Sequence, residues 1–301
     1  VDLMACSPEL NLLVLASSQS PDLWCYKYYW SGSDKLQSAW FRFTLSGCSH
    51  VKGLAFINGV LYAAVQIKYK QATRLLLAKL DFSDAEDASS DTPDGVLSFL
   101  PHLDGLIHTT LNGHYDADSD ETACLLPSGY ETESLCVDVE TLQSLPIKRR
   151  VKDQAGELRA VFKGDVRLRR AMLGFPYPAR YTFSQQFVRD ASGRSGGPSA
   201  HYGRLQFQRW RLILGQTGYI TASVRHTDTG ALFEYPYENI KYNTTGHLLG
   251  VTDREESVFT FPCRGDASRT VVTLENDTWL PSRVISAEWE ADFTAKGVTK
   301  L

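Results

Sequence analysis

The sequence predicts an all-β protein, with propeller-like or meander blades followed by a β-sandwich- or barrel-like domain and a long acidic insertion carried on the first part. Three observations lead there. Helical periodicity is nearly missing along all 301 residues. Short alternating or β-branched runs recur between Gly, Asn, Asp and Ser turn signals instead. The first runs group at a spacing of roughly 40 residues, which is the spacing of propeller blades.

Taken in order, Asn11–Ala16, Leu23–Trp30 and Gln37–Leu45 each fit a strand, and Ser31-Gly32-Ser33-Asp34 has the composition of a hairpin loop. Val51–Ile57 and Val60–Lys68 flank Asn58-Gly59. That dipeptide supplies the two positive-φ positions of a type I′ turn, whose twist suits the flanking strands. Arg74–Phe82 completes this second group, and a third, weaker unit is expected from Glu121–Leu126, Ser134–Val139 and Arg159–Phe162. Two or three blades cannot close a ring, so either the rest of a propeller lies outside this chain or the likeness is only to a β-meander. The stretch at about 83–130 is rich in Asp, Ser, Gly and Pro and reads as a surface insertion. From Gly203 alternation is strong: Leu205, Phe207 and Arg209 are expected on one face of a strand, with Gln206, Gln208 and Trp210 on the other. Tyr219–His226, Leu232–Tyr235, Val258–Cys263, Arg269–Glu275 and Arg283–Phe293 follow as strands. The expected division is a first domain over 1–165 and a C-terminal one over 166–301.

Composition narrows the class. Apolar residues make up 43% and charged ones 22%, which suits a globular chain, and no run approaches the ~18 apolar residues of a membrane-spanning helix. Val1–Ser7 carries no basic segment of a secretory signal. The six cysteines form no C-x-x-C pair, so zinc spacing is absent and free thiols of a reducing cytosol are expected. Net charge is −4, but it is segregated: residues 81–140 hold fifteen acids and no Lys or Arg, whereas 141–180 hold ten bases against three acids. Such segregation points to complementary surfaces within or between subunits, or to a solvated acidic loop beside a basic strand.

Tyr26-Lys27-Tyr28-Tyr29-Trp30 with Lys35-Leu36-Gln37-Ser38-Ala39-Trp40, and the run from Gly203-Arg204-Leu205-Gln206 to Gly218-Tyr219, resemble the tail tubular protein B (tail nozzle) family of T7-like short-tailed bacteriophages. The most specific likeness is Glu275-Asn276-Asp277-Thr278-Trp279-Leu280-Pro281-Ser282 followed by Ser286-Ala287-Glu288-Trp289-Glu290. Members of that family are usually much longer, so the resemblance implies that this chain corresponds to their C-terminal part, or to a product whose earlier portion is missing. The resemblance implies a non-enzymatic virion protein, made in the host bacterial cytoplasm. It implies a hexameric ring at the distal tail that conducts viral double-stranded DNA during ejection. Its neighbours would be the tail tubular protein A adaptor ring, tail fibres and the host cell surface.

No G-x-S-x-G, P-loop, H-E-x-x-H or G-x-G-x-x-G occurs, and no cofactor is expected. Glu288, Glu290 and Asp292 alternate along one strand face, as lumen, interface or ordinary solvated positions. Lys148, Arg149 and Arg150, with Arg167, Arg169 and Arg170, form a basic block suited to a contact with the acidic segment or another subunit. Asp116, Asp118 and Asp120 alternate as in a calcium loop, but Glu121 stands where an EF-hand needs Gly and Pro127 where it needs Glu. His102, His108 and His114 recur too far apart for ligands on one element. The competing function is a host-polysaccharide-binding or -cleaving tail protein. It would show exposed aromatics and a carboxylate pair about 5–10 Å apart, with the acidic insertion as its face. A third reading, a host-derived propeller scaffold, needs more blade repeats than the chain shows.

Overall fold

The computed structural model describes residues 1–69, 72–80, 101–130, 134–141, 143–186, 203–239 and 256–295. These residues form strands and no helix, so none is long and apolar enough to cross a membrane. The chain divides into two compact units, Val1–Tyr177 and Pro178–Leu301.

The first unit opens with a four-stranded antiparallel meander, β1 (Leu3–Ser7), β2 (Leu12–Ala16), β3 (Asp22–Ser31) and β4 (Asp34–Thr44). A three-stranded meander follows, β5 (His50–Ile57), β6 (Val60–Tyr69) and β7 (Ala72–Leu80). Alternation does the packing: Leu12, Val14 and Ala16 of β2, Leu23 and Cys25 of β3, Val51 of β5, and Leu61, Ala63 and Val65 of β6 bury one shared core. Asn58 (φ 50°) and Gly59 (φ 77°) take the two positive-φ turn positions, so Ile57 pairs with Val60.

Two further sheets complete this unit. One orders β12 (Arg149–Lys152), β13 (Leu158–Lys163), β10 (Glu121–Leu125) and β9 (Gly113–Asp116). The other orders β11 (Leu135–Asp138), β14 (Arg170–Pro176) and β8 (Leu103–Thr110). Leu111, Cys124, Cys136, Phe162 and Leu173 lie in their common core. The third blade expected from the sequence is therefore not one sheet, because β10 pairs with β13 whereas β11 pairs with β14. The stretch expected as an insertion also differs. Its described part contains β8, β9 and β10, which bury Leu103 of β8 and Thr122 and Cys124 of β10. Residues 81–100 lie outside the described residues. β14 stays with β8 and β11, so the unit ends at Tyr177 rather than at 165. Of the two expected forms the first sheets are meanders stacked on shared cores: among the described residues no propeller or barrel closes.

The second unit is a sandwich. One sheet orders β15 (Ala179–Thr182), β20 (Thr270–Asn276), β17 (Tyr219–His226) and β18 (Leu232–Glu238). The other orders β19 (Ser257–Asp266), β16 (Gly203–Leu214) and β21 (Val284–Ala295). A bulge in β16 corrects the expected strand faces. Phe207 opposes Ala291 and Arg209 opposes Glu290, so Gln208 is the extra residue and the side-chain phase slips there. Leu205 and Phe207 before it and Trp210, Leu212 and Leu214 after it all enter the core, while Arg209 turns outward.

Trp210 is 1% exposed between Phe183 and Phe207, and its indole Nε1 has no acceptor among the described residues. Truncating it to Ala should cost about 4 kcal/mol in cavity and lost burial. Trp210→Phe should cost less than half of that, since it also removes an unpaired buried N–H. Urea midpoints of the two variants check the ordering, and equal losses would contradict it.

Candidate functional site: charged faces and open edges

Buried carboxylates organise the basic block. Glu121, at the start of β10, is 6% exposed and receives Lys148 Nζ at 2.6 Å. Arg149 forks onto the same carboxylate, Nη1 at 2.9 Å and Nη2 at 2.5 Å. The Lys148 and Arg149 hydrogen bonds hold Glu121 below the usual carboxylate range. The pairing bridges β12 and β10 across β13. Asp138, at the end of β11, is buried and accepts Arg169 Nη1 at 3.0 Å together with the N–H groups of Glu140 and Thr141. Arg170 lies 3.7 Å from Glu140, Arg167 pairs with Asp165 at 2.6 Å, and Arg150 donates to the Ser134 carbonyl. The six basic residues thus sit on two separate elements, each engaged within the chain.

The β16–β21 pair carries the other charged face. Arg209 Nε donates to Glu290 at 2.5 Å, Gln208 Nε2 donates to Asp292 at 2.6 Å, and Arg211 lies 3.9 Å from Glu288. Glu288, Glu290 and Asp292 do share one exposed face, and each has a donor opposite it on β16. Pairs this exposed contribute well under 1 kcal/mol each, so the ladder sets surface charge rather than stability.

Asp116, Asp118 and Asp120 close the β9–β10 turn. Asp116 accepts the Asp118 N–H at 3.1 Å and the Ser119 hydroxyl at 2.8 Å, and Asp120 accepts the Tyr115 hydroxyl at 2.9 Å. The Asp116 and Asp120 carboxylates are thus engaged within the turn, and no group of His, Cys, Asp and Glu able to hold a metal occurs among the described residues. All six cysteines are free, and burial pushes Cys25, Cys136 and Cys263 up to about 12.

Two apolar surfaces stay open. β2 pairs with β3 only as far as Lys27, so the outer half of the β3–β4 hairpin extends beyond it. Tyr29, Trp30 and Leu36 are exposed there, and Trp40, also exposed, packs on Tyr26 at 4.8 Å where β2 still runs alongside β3. β7 has a single strand neighbour, β6, among the described residues. Its Leu75, Leu76 and Leu77 are 64%, 48% and 73% exposed.

The profile of the family described as bacteriophage nozzle protein matches residues 1–299. The chain belongs to the bacteriophage nozzle protein family. No match was found among curated proteins. As a nozzle-family chain it is a structural protein of the phage tail and a component of the virion, which gives open hydrophobic edges a use.

One titratable group of this nozzle-family chain was hidden from sequence reasoning. Asp104 of β8 accepts the Ser46 N–H at 2.7 Å, across the seam between the first two sheets and the next two. Gly47 lies against the Phe175 ring beside it, where a Cβ would overlap the ring. Burial raises Asp104 to about 6, with the Ser46 hydrogen bond opposing. The spacing of 58 residues between Ser46 and Asp104 leaves no local signal.

Asp104 should make the first unit more stable as pH falls from 7 to 5. Its folded pKa lies above the unfolded value of 3.8, so the folded state holds the proton more tightly. Ionisation above pH 6 costs up to about 3 kcal/mol, a cost that disappears as pH approaches 4. Asp104→Asn should raise the urea midpoint at pH 7.5 and flatten its dependence between pH 7 and 5; an unchanged pH profile would sink the assignment. Asp138→Ala, which strands Arg169 and two backbone donors, should cost about 3 kcal/mol at any pH in that range.

Proposed function

We propose that the chain is one subunit of a homohexameric ring forming the distal tube of the tail, through which viral double-stranded DNA passes into the host. The observation that carries this reading, beside the family, is β7. Successive strand residues point to opposite faces, so exposure of Leu75, Leu76 and Leu77 leaves both faces and the free edge open. An exposed apolar edge strand pairs with whatever reaches it, and a closed ring satisfies every such edge with a copy of the same chain. The aromatic hairpin supports the same reading, since Tyr and Trp concentrate where permanent contacts form.

In this reading the tail tubular protein A adaptor ring lies above the tube, with tail fibres and the host cell surface as outer neighbours. Assembly follows synthesis in the reducing host cytoplasm, which agrees with six free thiols. The work is mechanical and needs no catalysis. Glu288, Glu290 and Asp292 belong to a lumen or inter-subunit face in this scheme, with Arg211 and Arg209 offsetting the first two and the neutral Gln208 amide donating to Asp292. For the competing glycan-cleaving role, Glu290→Gln with Asp292→Asn would abolish cleavage and leave ring assembly intact.

Light scattering with negative-stain imaging should show a six-fold ring with a central bore, alone or templated by the adaptor ring. Leu75→Lys with Leu77→Glu should prevent the ring and leave the circular dichroism spectrum unchanged. A chain that stays monomeric even with the adaptor present would overturn the proposal. Rings formed normally by the double variant would overturn the role of β7.

A further inference from the structure

One end of the second unit holds a polar cleft of about 480 Å3, formed where β16 begins, β17 ends and β19 ends. It is built from opposite charges. Arg204, Arg264 and Arg269 line it together with Asp228 and Asp266. Arg204 Nε lies 3.3 Å from Asp266, and Arg269 Nη1 lies 3.4 Å from Asp228. Each arginine therefore keeps further N–H donors, and Arg264 forms no ion pair or hydrogen bond among the described residues. The carboxylates keep acceptor capacity in turn, Asp266 held ionised by the Ser268 hydroxyl and N–H.

The floor of the cleft is bare backbone at Gly265, where a Cβ would lie 2.6 Å from His226 Cε1 and 2.7 Å from Thr270 Oγ1. His226 is held in one orientation. Thr270 Oγ1 donates its proton to the Asp266 carbonyl at 2.9 Å, so at its 3.2 Å contact with His226 Nδ1 the imidazole must be the donor. Nε2 of the neutral ring is then an acceptor. The imidazole also meets Phe233, which is exposed, edge to face at 5.9 Å.

We propose that this cleft binds an acidic pyranose, a sugar ring bearing a carboxylate or phosphate group, with Arg264 and its neighbours on the anion and Asp228 and Asp266 accepting ring hydroxyls. The chemistry separates this ligand from its rivals. A lone phosphate would leave the acceptors unused and fill little of a cleft within the usual range for organic ligands. A nucleic-acid backbone presents phosphates in series, and two fixed carboxylates between the arginines repel it. A neutral sugar leaves the guanidinium forks without an anion, the partner their geometry matches best. An acidic sugar engages both sets, and Phe233 offers a flat apolar surface beside the imidazole for a ring's C–H face. This binding would not require the ring of subunits, and it is recognition, not cleavage.

Titration calorimetry of the full chain at physiological ionic strength tests it, with tri-galacturonate, glucose 6-phosphate, maltotriose, inorganic phosphate and a short oligothymidylate as probes. One or both acidic sugars should bind, the stronger of the two telling carboxylate from phosphate, while maltotriose gives no measurable heat. Arg264→Ala should weaken that binding by about tenfold or more, because it removes a forked, charge-assisted contact. Arg264→Lys should recover only part of it, and Asp228→Asn should weaken it several-fold. Arg264 is exposed and unpaired, so the melting temperature of its variants should stay at the parent value. Failure of both acidic sugars to bind would overturn the proposal. So would oligothymidylate or inorganic phosphate binding as tightly as they do, or full binding by Arg264→Ala.

Discussion

Every sheet among the described residues has three or four strands, and a sheet that small cannot remain flat and wet on both faces. Each is therefore laid against another over a single shared core: β1–β4 against β5–β7, the β9–β10–β12–β13 sheet against β8–β11–β14, and the two sheets of the second unit against each other. This requirement fixes the alternation of buried and exposed residues and leaves edge strands as the main surplus. β7 is the clearest case, with apolar residues on both sides of an edge that no described strand covers.

Electrostatics is arranged within that frame. Burying Glu121 or Asp138 is unfavourable unless cations and N–H donors come with it, because a carboxylate loses its hydration on leaving water. Lys148, Arg149 and Arg169 supply the cations, drawn from the basic block across strand pairs or turns. The large imbalance between residues 81–140 and 141–180 is thus partly neutralised inside the first unit. Asp104 is the contrasting case: buried at a seam with one backbone donor and no cation, it rises toward neutral pH instead of falling.

Much of this was legible in the sequence. Asn58-Gly59 announced its turn because the type I′ geometry needs two positive-φ residues, and the runs from Leu12 to Leu80 alternated clearly enough to read as strands. β8 and β9 were masked by their own polar residues: the half-buried Asp104 and the outward His108, His114 and Asp116 make a strand look like an acidic loop. The faces of β16 were misread past Gln208 because a bulge changes the phase of alternation without changing composition. The cleft around Arg264 left no motif, since its residues come from three strands and two turns that only the fold brings together.

The face shared by Glu288, Glu290 and Asp292 shows how far the site could be read. Alternation alone puts three carboxylates on one side of a strand; the register adds Arg211 and Arg209 directly across from Glu288 and Glu290, and the bulge residue Gln208 reaches Asp292 with its side-chain amide. Cross-strand neighbours stand about 5 Å apart, inside the roughly 8 Å over which physiological salt screens a charge. The two arginines cancel two of the three carboxylates at the distance of a passing phosphate, which leaves one net negative charge at Asp292. Unmatched arginines would hold DNA by releasing its counterions, and unmatched carboxylates would oppose its entry. A bore lined by largely paired charges does little of either. If this face lines the tube, its virtue is weak interaction with DNA of any sequence, and that property belongs to the pairing of β16 with β21 rather than to any one residue.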